Sequence, residues 1–373
     1  MVLVDLYRRF RRRKAKYMKR YSNLYEKIIS IDNLMLADEK AQKGKKKTYG
    51  VKLHNKNRVE NIIRLHERLK NKTYKTSDYH IFKIYEPKER VIYRLPYYPD
   101  RIVHHAIMNI LEPIWTKTFT YNTYSCIKGR GIEACAKQVD KIIKQYKDTP
   151  LYCLKIDICK YYPSINHDVM KRIIRLKIKD KDLLDLLDEI IDSAEGLPIG
   201  NYLSQYLANL YLCYFMHYVN ERMPNDIKSI LNLDYTPKIY CTEYADDIVF
   251  YSDSKDILHQ VFVLSKIYLE RELKLNIKGN YQIFPIAYNR YDRHGRALDY
   301  VGYKFYKNQK LIRKRIKQNF CRLVYKINKH LLTLSLVEYK QLIAPYLGWA
   351  KHSDSKHLLT KIINKKYYAS ILR

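Results

Sequence analysis

The chain has 373 residues, with 71 Lys and Arg against 38 Asp and Glu, giving a formal charge of +33. Such a field attracts polyanions and makes binding strongly salt-dependent, which leaves a nucleic-acid enzyme, a ribosome-associated protein and a membrane-surface protein open. No uninterrupted apolar run of about 18 residues is present for a spanning helix, and the length allows a buried core of two or three subdomains.

The start, MVLVDLYRRFRRRKAKYMKR, is charged and lacks the apolar segment of a signal peptide, so a cytoplasmic protein is expected. Seven cysteines, at 126, 135, 153, 159, 213, 241 and 321, form no CxxC pair and several sit in apolar runs as small hydrophobes, so neither a disulfide framework nor a zinc site is expected. Tyrosine is abundant at 38 residues. Because Lys, Ile and Asn are abundant too, a biased genome explains most of these rings better than base stacking does.

In chain order, residues 1 to about 50 read as a basic, poorly periodic extension with charge runs RRFRRRKAK and KAQKGKKK, an arm that orders on RNA or a solvated tail. Val59, Ile62, Ile63, Leu65 and Leu69 then keep helical spacing to near Lys72. HIFKIYEPKERVIYRLP alternates as two strands with a turn at 86–89, and Asp100 is the expected N-cap of a helix striped by Ile102, Val103, Ala106, Ile107, Ile110 and Leu111. His104 and His105 on that helix receive no chemistry.

Beyond residue 150, LYCLKID reads as a strand ending on Asp157, and NHDVMKRIIRLKI, KDLLDLLDEII and NYLSQYLANLYLCYFMHYV read as helices. KIYCTEYADDIVFYS is a hairpin, Asp253-Ser254 caps the next helix, LDYVGYKFYK returns as a strand, and KLIRKRIKQNF onward is basic helix.

Two adjacent acids, Asp246 and Asp247, inside an apolar hairpin are costly to bury without a cation. With Asp157 at the end of a second apolar strand they are the oxygen ligands that Mg²⁺ prefers. Nucleotidyl transfer needs such a set, because two metal ions roughly 4 Å apart stabilise the attacking and leaving oxygens. Asp157 alone reads better as a turn or helix N-cap residue.

Asp157 with Tyr161-Tyr162, GLPIGNYLSQYLANLYL, the YADD tetrad, LKLNIKGNYQIFPI and LDYVGYKFYK stand in an order that resembles the reverse transcriptases from about residue 50 onward, and RVIYRLPYYPDRIVHHAI to IKGRGIEACAKQV resembles their fingers. The resemblance implies an α+β right-hand polymerase: basic extension 1–50, fingers 51–150, a palm of antiparallel sheet backed by helices over 151–306 with a finger insertion at about 165–200, and a helical thumb over 307–373. It implies two Mg²⁺ ions, with Mn²⁺ as a substitute, held by Asp157, Asp246 and the carbonyl of Ile158, and Asp247 supporting the primer end. Tyr162 matches the residue that excludes a ribose 2′-hydroxyl, or else packs beside Tyr161.

Arg90, Arg94 and Arg101 are candidates for the triphosphate, since Arg binds phosphate bidentately. Lys278 matches a lysine near the leaving pyrophosphate. The resemblance further implies that Ile199 and Gly200 stand at the nucleotide, and Ser204, Gln205, Tyr244 and Gly302 at template or primer. Basic residues of 311–331 would face duplex phosphate.

Ile199-Gly200 with Ser204-Gln205, where most relatives carry Gln-Gly and Ser-Pro, and PYLGWAKHSDS near the end are similar to the reverse transcriptases of diversity-generating retroelements. That similarity implies a prokaryotic or phage enzyme of mutagenic retrohoming. Such an enzyme copies template RNA into cDNA from dNTPs, misincorporates at adenines, and works with a small basic, oligomeric accessory protein away from membranes. Retron-like or antiphage-defence reverse transcriptases are the alternative, and a catalytically silent RNA-binding scaffold the non-enzymatic one. Intron-encoded relatives are disfavoured because only about 70 residues follow LDYVGYKFYK.

Overall fold

The computed structural model describes residues 19–85, 89–329 and 334–362. They divide into two compact units between which the chain passes repeatedly, one from the described residues up to 121 with 158–218 and 265–277, and the other from 122–157, 219–264 and the described residues from 278 onward.

The first unit is mainly helical. Residues 25–42, expected as part of a poorly periodic arm, are the helices Tyr25–Ile29 and Ile31–Gln42. Leu34, Ala37 and Ala41 keep helical spacing beneath the charged exterior and are buried with Ile28 and Ile29, a face that the high charge conceals in the sequence. The run RRFRRRKAK lies outside the described residues.

Helix Ile31–Gln42 packs on Ile102–Thr116, and Asn33 Nδ2 donates to the Ala106 carbonyl at 3.1 Å. Asp38, fully buried, accepts from the Tyr97 hydroxyl, Gln42 and the Arg58 guanidinium, with His54 Nε2 at 3.3 Å. Burial alone would push its carboxyl up, but these partners outweigh that and hold it well below the usual carboxylate range.

Strands β1 (His80–Ile84) and β2 (Arg90–Arg94) form the expected antiparallel hairpin, with His80 opposite Arg94; its turn residues 86–88 lie outside the described residues. Asp100 does not cap the helix after it. Arg101 stands at that cap without a side-chain bond, while Asp100 is buried and accepts from the Tyr74 hydroxyl (2.7 Å) and the Ser77 N–H (3.1 Å). Of the stripe read on Arg58–Lys70, only Ile62, Leu65 and Leu69 are buried, and Val59 and Ile63 face solvent.

In the second unit, β3 (Tyr152–Asp157), β4 (Tyr240–Tyr244), β5 (Asp247–Ser252) and β6 (Gln282–Pro285) form an antiparallel sheet in the order β4-β5-β3-β6. The central strand β5 is buried on both faces along most of its length and β3 at Cys153, Leu154 and Ile156, which explains their largely apolar sequence. One face, with Cys153, Val249, Tyr251 and Phe284, joins helix Ile132–Gln145 in a core cluster.

LDYVGYKFYK is two strands rather than one: β7 (Leu298–Tyr300) and β8 (Tyr303–Phe305) reverse at Val301-Gly302, both at positive φ, and β9 (Lys310–Ile312) completes a three-stranded sheet. Residues 310–312 were expected as helix; the helix instead starts at Lys314, because Lys310–Ile312 finds a ladder on β8. Helices Lys314–Asn328, Leu336–Lys351 and Lys356–Ile362 gather around Phe320, Val324, Ile327, Tyr339 and Ile343. Every strand ladder among the described residues is antiparallel, in a chain of mixed helix and sheet, so the expected α+β class is the one observed.

Candidate active site

Pairing of β3 with β5 sets Asp157 directly opposite Asp247, on one face of the sheet at its end. Tyr244 pairs with Asp247, so β4 and β5 close over the two-residue loop Ala245-Asp246. Positive φ (56°) falls on Ala245 and not on Asp246, the pattern of a type II′ hairpin turn. Without glycine this costs on the order of 1 kcal/mol, offset by the ladders on either side.

Two lysines compensate part of the negative charge. Lys278 Nζ lies 2.6 Å from Asp157 Oδ2, and its N–H donates to the Asp157 carbonyl at 2.9 Å. Lys155 Nζ lies 3.6 Å from Asp247 Oδ1 and donates to the Asp299 carbonyl at 3.2 Å. Asp246 is in neither pair, and burial, with the charges of Asp247 and Asp157 added, raises its carboxyl above the usual range against an opposing contribution from Lys278.

Among the described residues no three His, Cys, Asp or Glu side chains form a ready metal cluster. The donors present still fit a hard cation of the Mg²⁺ type, which takes one or two protein carboxylates and otherwise carbonyl oxygen and water. Asp157 and Asp246 supply the carboxylates. Ile158, whose carbonyl is the expected third donor, is fully buried and bridges to Ile277.

The other expected residues of the second unit are placed differently. Tyr244 is half-buried and packs against the core cluster. Gly302, at φ +85°, is a packing glycine: a Cβ there would meet the Trp349 ring at 2.4 Å.

In the first unit, Tyr161 is buried and its hydroxyl donates to the Ala208 carbonyl at 2.6 Å, whereas Tyr162 stays half-exposed with its ring edge-on to Tyr161. The Leu197 N–H donates to the Tyr162 carbonyl (2.8 Å), and a Cβ on Gly196 would come within 2.5 Å of that oxygen. The same loop meets the hairpin: the Tyr93 N–H donates to the Ile199 carbonyl at 2.9 Å, and Gly200 (φ +117°) comes close to Ile92 and Tyr93. Ser204 is buried and Gln205 exposed, so only Gln205 presents its side chain outward.

Arg90 and Arg94 are exposed on β2, while Arg101 is half-buried. Burial and Arg94 lower the Arg101 pKa, and burial with Arg101 and Arg94 lowers that of Lys45. His105, stacked on Tyr202 at 4.3 Å, is pushed down to about 4 by burial, Lys45 and its other cationic neighbours. Cations gathered with mutual repulsion suit an anion.

The family model for reverse transcriptase (RNA-dependent DNA polymerase) matches residues 75–280. This chain belongs to the reverse transcriptase family. Among curated relatives, Escherichia coli protein YkfC is 26% identical over 155 residues, covering 38% of this chain and 41% of that protein. A putative COX1/OXI3 intron 2 protein of Saccharomyces cerevisiae is 24% identical, covering 35% and 16%, and nuclear intron maturase 4 of Arabidopsis thaliana is 22% identical, covering 44% and 25%. The chain thus spans less than half the length of these relatives. Among solved structures, apo telomerase from Candida tropicalis has a TM-score of 0.43 at 12% identity, covering 64% of this chain and 55% of that chain. Telomerase from Candida albicans in complex with a fragment of telomeric RNA has a TM-score of 0.45 at 11% identity, covering 81% and 65%.

Sequence reasoning missed Lys155, Glu243 and Lys45, and gave His105 no chemistry. Lys155 had a signal, since two residues before Asp157 in a strand is the same face. Glu243 had none, because its neighbours in the fold are Asn122, Thr123 and Tyr124, more than a hundred residues away in sequence. No helix among the described residues is long and apolar enough to cross a membrane.

Proposed function

We propose that this chain is an RNA-directed DNA polymerase that copies template RNA into cDNA from dNTPs. The single observation that carries the proposal is the register placing Asp157 opposite Asp247 beside the Asp246 turn, in a chain of the reverse transcriptase family. Divalent cations held there would activate the primer 3′-hydroxyl and stabilise the leaving pyrophosphate. Asp157 and Asp246 bind the ions, and Lys278, one hydrogen bond from Asp157, balances charge as phosphate arrives and departs. Tyr162 excludes the ribose 2′-hydroxyl, and Arg90, Arg94 and Arg101 draw in the triphosphate. The exposed basic residues of Lys314–Asn328 grip the duplex by its phosphates.

At finer grain, Ile199-Gly200, Ser204-Gln205 and PYLGWAKHSDS support an error-prone enzyme of a diversity-generating retroelement, acting with a small basic accessory protein. An Ile at 199 offers no hydrogen bond to a nucleotide sugar, and looser positioning lowers discrimination between correct and wrong pairs. Primer extension on a primed RNA with Mg²⁺ and dNTPs tests the activity. Extension by the wild type and none by Asp246→Ala is expected; no extension on any primed RNA would favour the silent scaffold.

A further inference from the structure

Of the two acids with an ion-pair partner, Asp247 is the more exposed, at 44% side-chain exposure against 25% for Asp157, and its partner is a lysine of the neighbouring strand. Lys155 stands two residues before Asp157 on β3, so its side chain leaves the same face as Asp157 and Asp247. Its ammonium also donates to the Asp299 carbonyl at 3.2 Å. Asp299 in turn accepts from Arg313 Nε at 2.6 Å, and the Tyr300 hydroxyl donates to the Asp247 carbonyl at 3.1 Å. Main chain and carboxylate of Asp247 are therefore both fastened to β7. Among the described residues no comparable fastening reaches the Asp246 side chain.

We propose that Lys155 is a positioning residue that neutralises Asp247 and withholds it from the divalent cation, leaving Asp157 and Asp246 to hold the ion. The inference rests on the reading of Asp157 and Asp246 as the metal pair. It separates the two adjacent acids of the turn: β3 supplies a counter-charge to Asp247, and none is found at Asp246 among the described residues; Lys155 is also held by the Asp299 carbonyl, whereas the tighter Lys278–Asp157 pair at 2.6 Å opens for Asp157 to reach the ion. A lysine kept only to brace the sheet would lose stability on replacement and leave cation affinity unchanged or weaker. A lysine that masks a carboxylate would, on removal, make the site bind the cation more tightly.

The test is Mn²⁺ binding to the full chain without nucleic acid, read by electron paramagnetic resonance of free Mn²⁺. Lys155→Met is expected to bind roughly tenfold more tightly than wild type, the scale of one opposing charge removed beside a cation. Lys155→Arg keeps wild-type affinity, and Lys155→Met combined with Asp247→Asn returns to within about twofold of it, since the unmasked carboxylate is gone. Lys155→Gln, with thermal unfolding recorded in parallel, provides the same comparison if the Met variant folds poorly. Unchanged or weaker binding in Lys155→Met, or a double variant far weaker than wild type, would overturn the proposal while leaving the metal pair intact. Unchanged affinity in Asp246→Ala would overturn both.

Discussion

Glu243 gives a prediction whose size follows from the structure alone. Its side chain is fully buried on β4, Oε2 accepts from the Thr123 hydroxyl at 2.8 Å, and Oε1 has no partner. Burial pushes its carboxyl from 4.5 up to about 8, against smaller opposing contributions from Thr123 and Arg130. For an acid with a raised folded value, the stabilising contribution is complete below the unfolded value of 4.5 and is lost as pH rises through about 8. At about 1.4 kcal/mol per unit, the wild type should lose on the order of 3 kcal/mol through this group between about pH 5 and pH 8. Glu243→Gln cannot ionise. It shifts absolute stability by the cost of its own unpaired amide donors, about 1–3 kcal/mol, but that offset does not depend on pH. Urea unfolding of both proteins across this range should therefore give a difference profile rising with pH in favour of the variant. A flat difference would refute the claim that a neutral carboxyl is buried there.

Tyr162→Ala should admit ribonucleotides, raising the ribo-to-deoxy incorporation ratio by about tenfold or more, on the scale set by loss of a steric contact; an enzyme still refusing them in single-nucleotide extension would refute the gate. Ile199→Gln is expected to lower misincorporation opposite template adenine, and an unchanged error spectrum on a defined RNA template counts against a role for that side chain. Gly302→Ala forces a Cβ into Trp349 at positive φ and should cost about 2–4 kcal/mol, read as a fall in melting temperature. A variant as stable as wild type would mean that β7 and β8 reverse differently.

The second unit was the most legible part of the fold. β3, β4 and β5 follow from apolar runs of strand length, and the site follows because acids interrupt such runs at their ends. The break within LDYVGYKFYK was less visible, since Val301 takes a positive φ that a β-branched residue rarely adopts and only Gly302 marks the turn. In the first unit, high charge concealed the helices over 25–42, whose short buried face is completed by Ile102–Thr116 across a long stretch of sequence. Asp100 misled because a cap and a buried hydrogen-bond acceptor look alike in sequence; Tyr74 decides between them. The ion pairs of Lys155 and Lys278 depend on strand register and a returning loop, which spacing alone does not supply.

The central claim is that Asp157 and Asp246 together bind a divalent cation. Anomalous diffraction from crystals soaked in Mn²⁺ tests it most directly. The expected result is a peak within about 2.2 Å of a carboxylate oxygen of each residue, lost in Asp246→Ala. A peak absent from that position, or one bound by Asp247 without Asp246, would contradict the account.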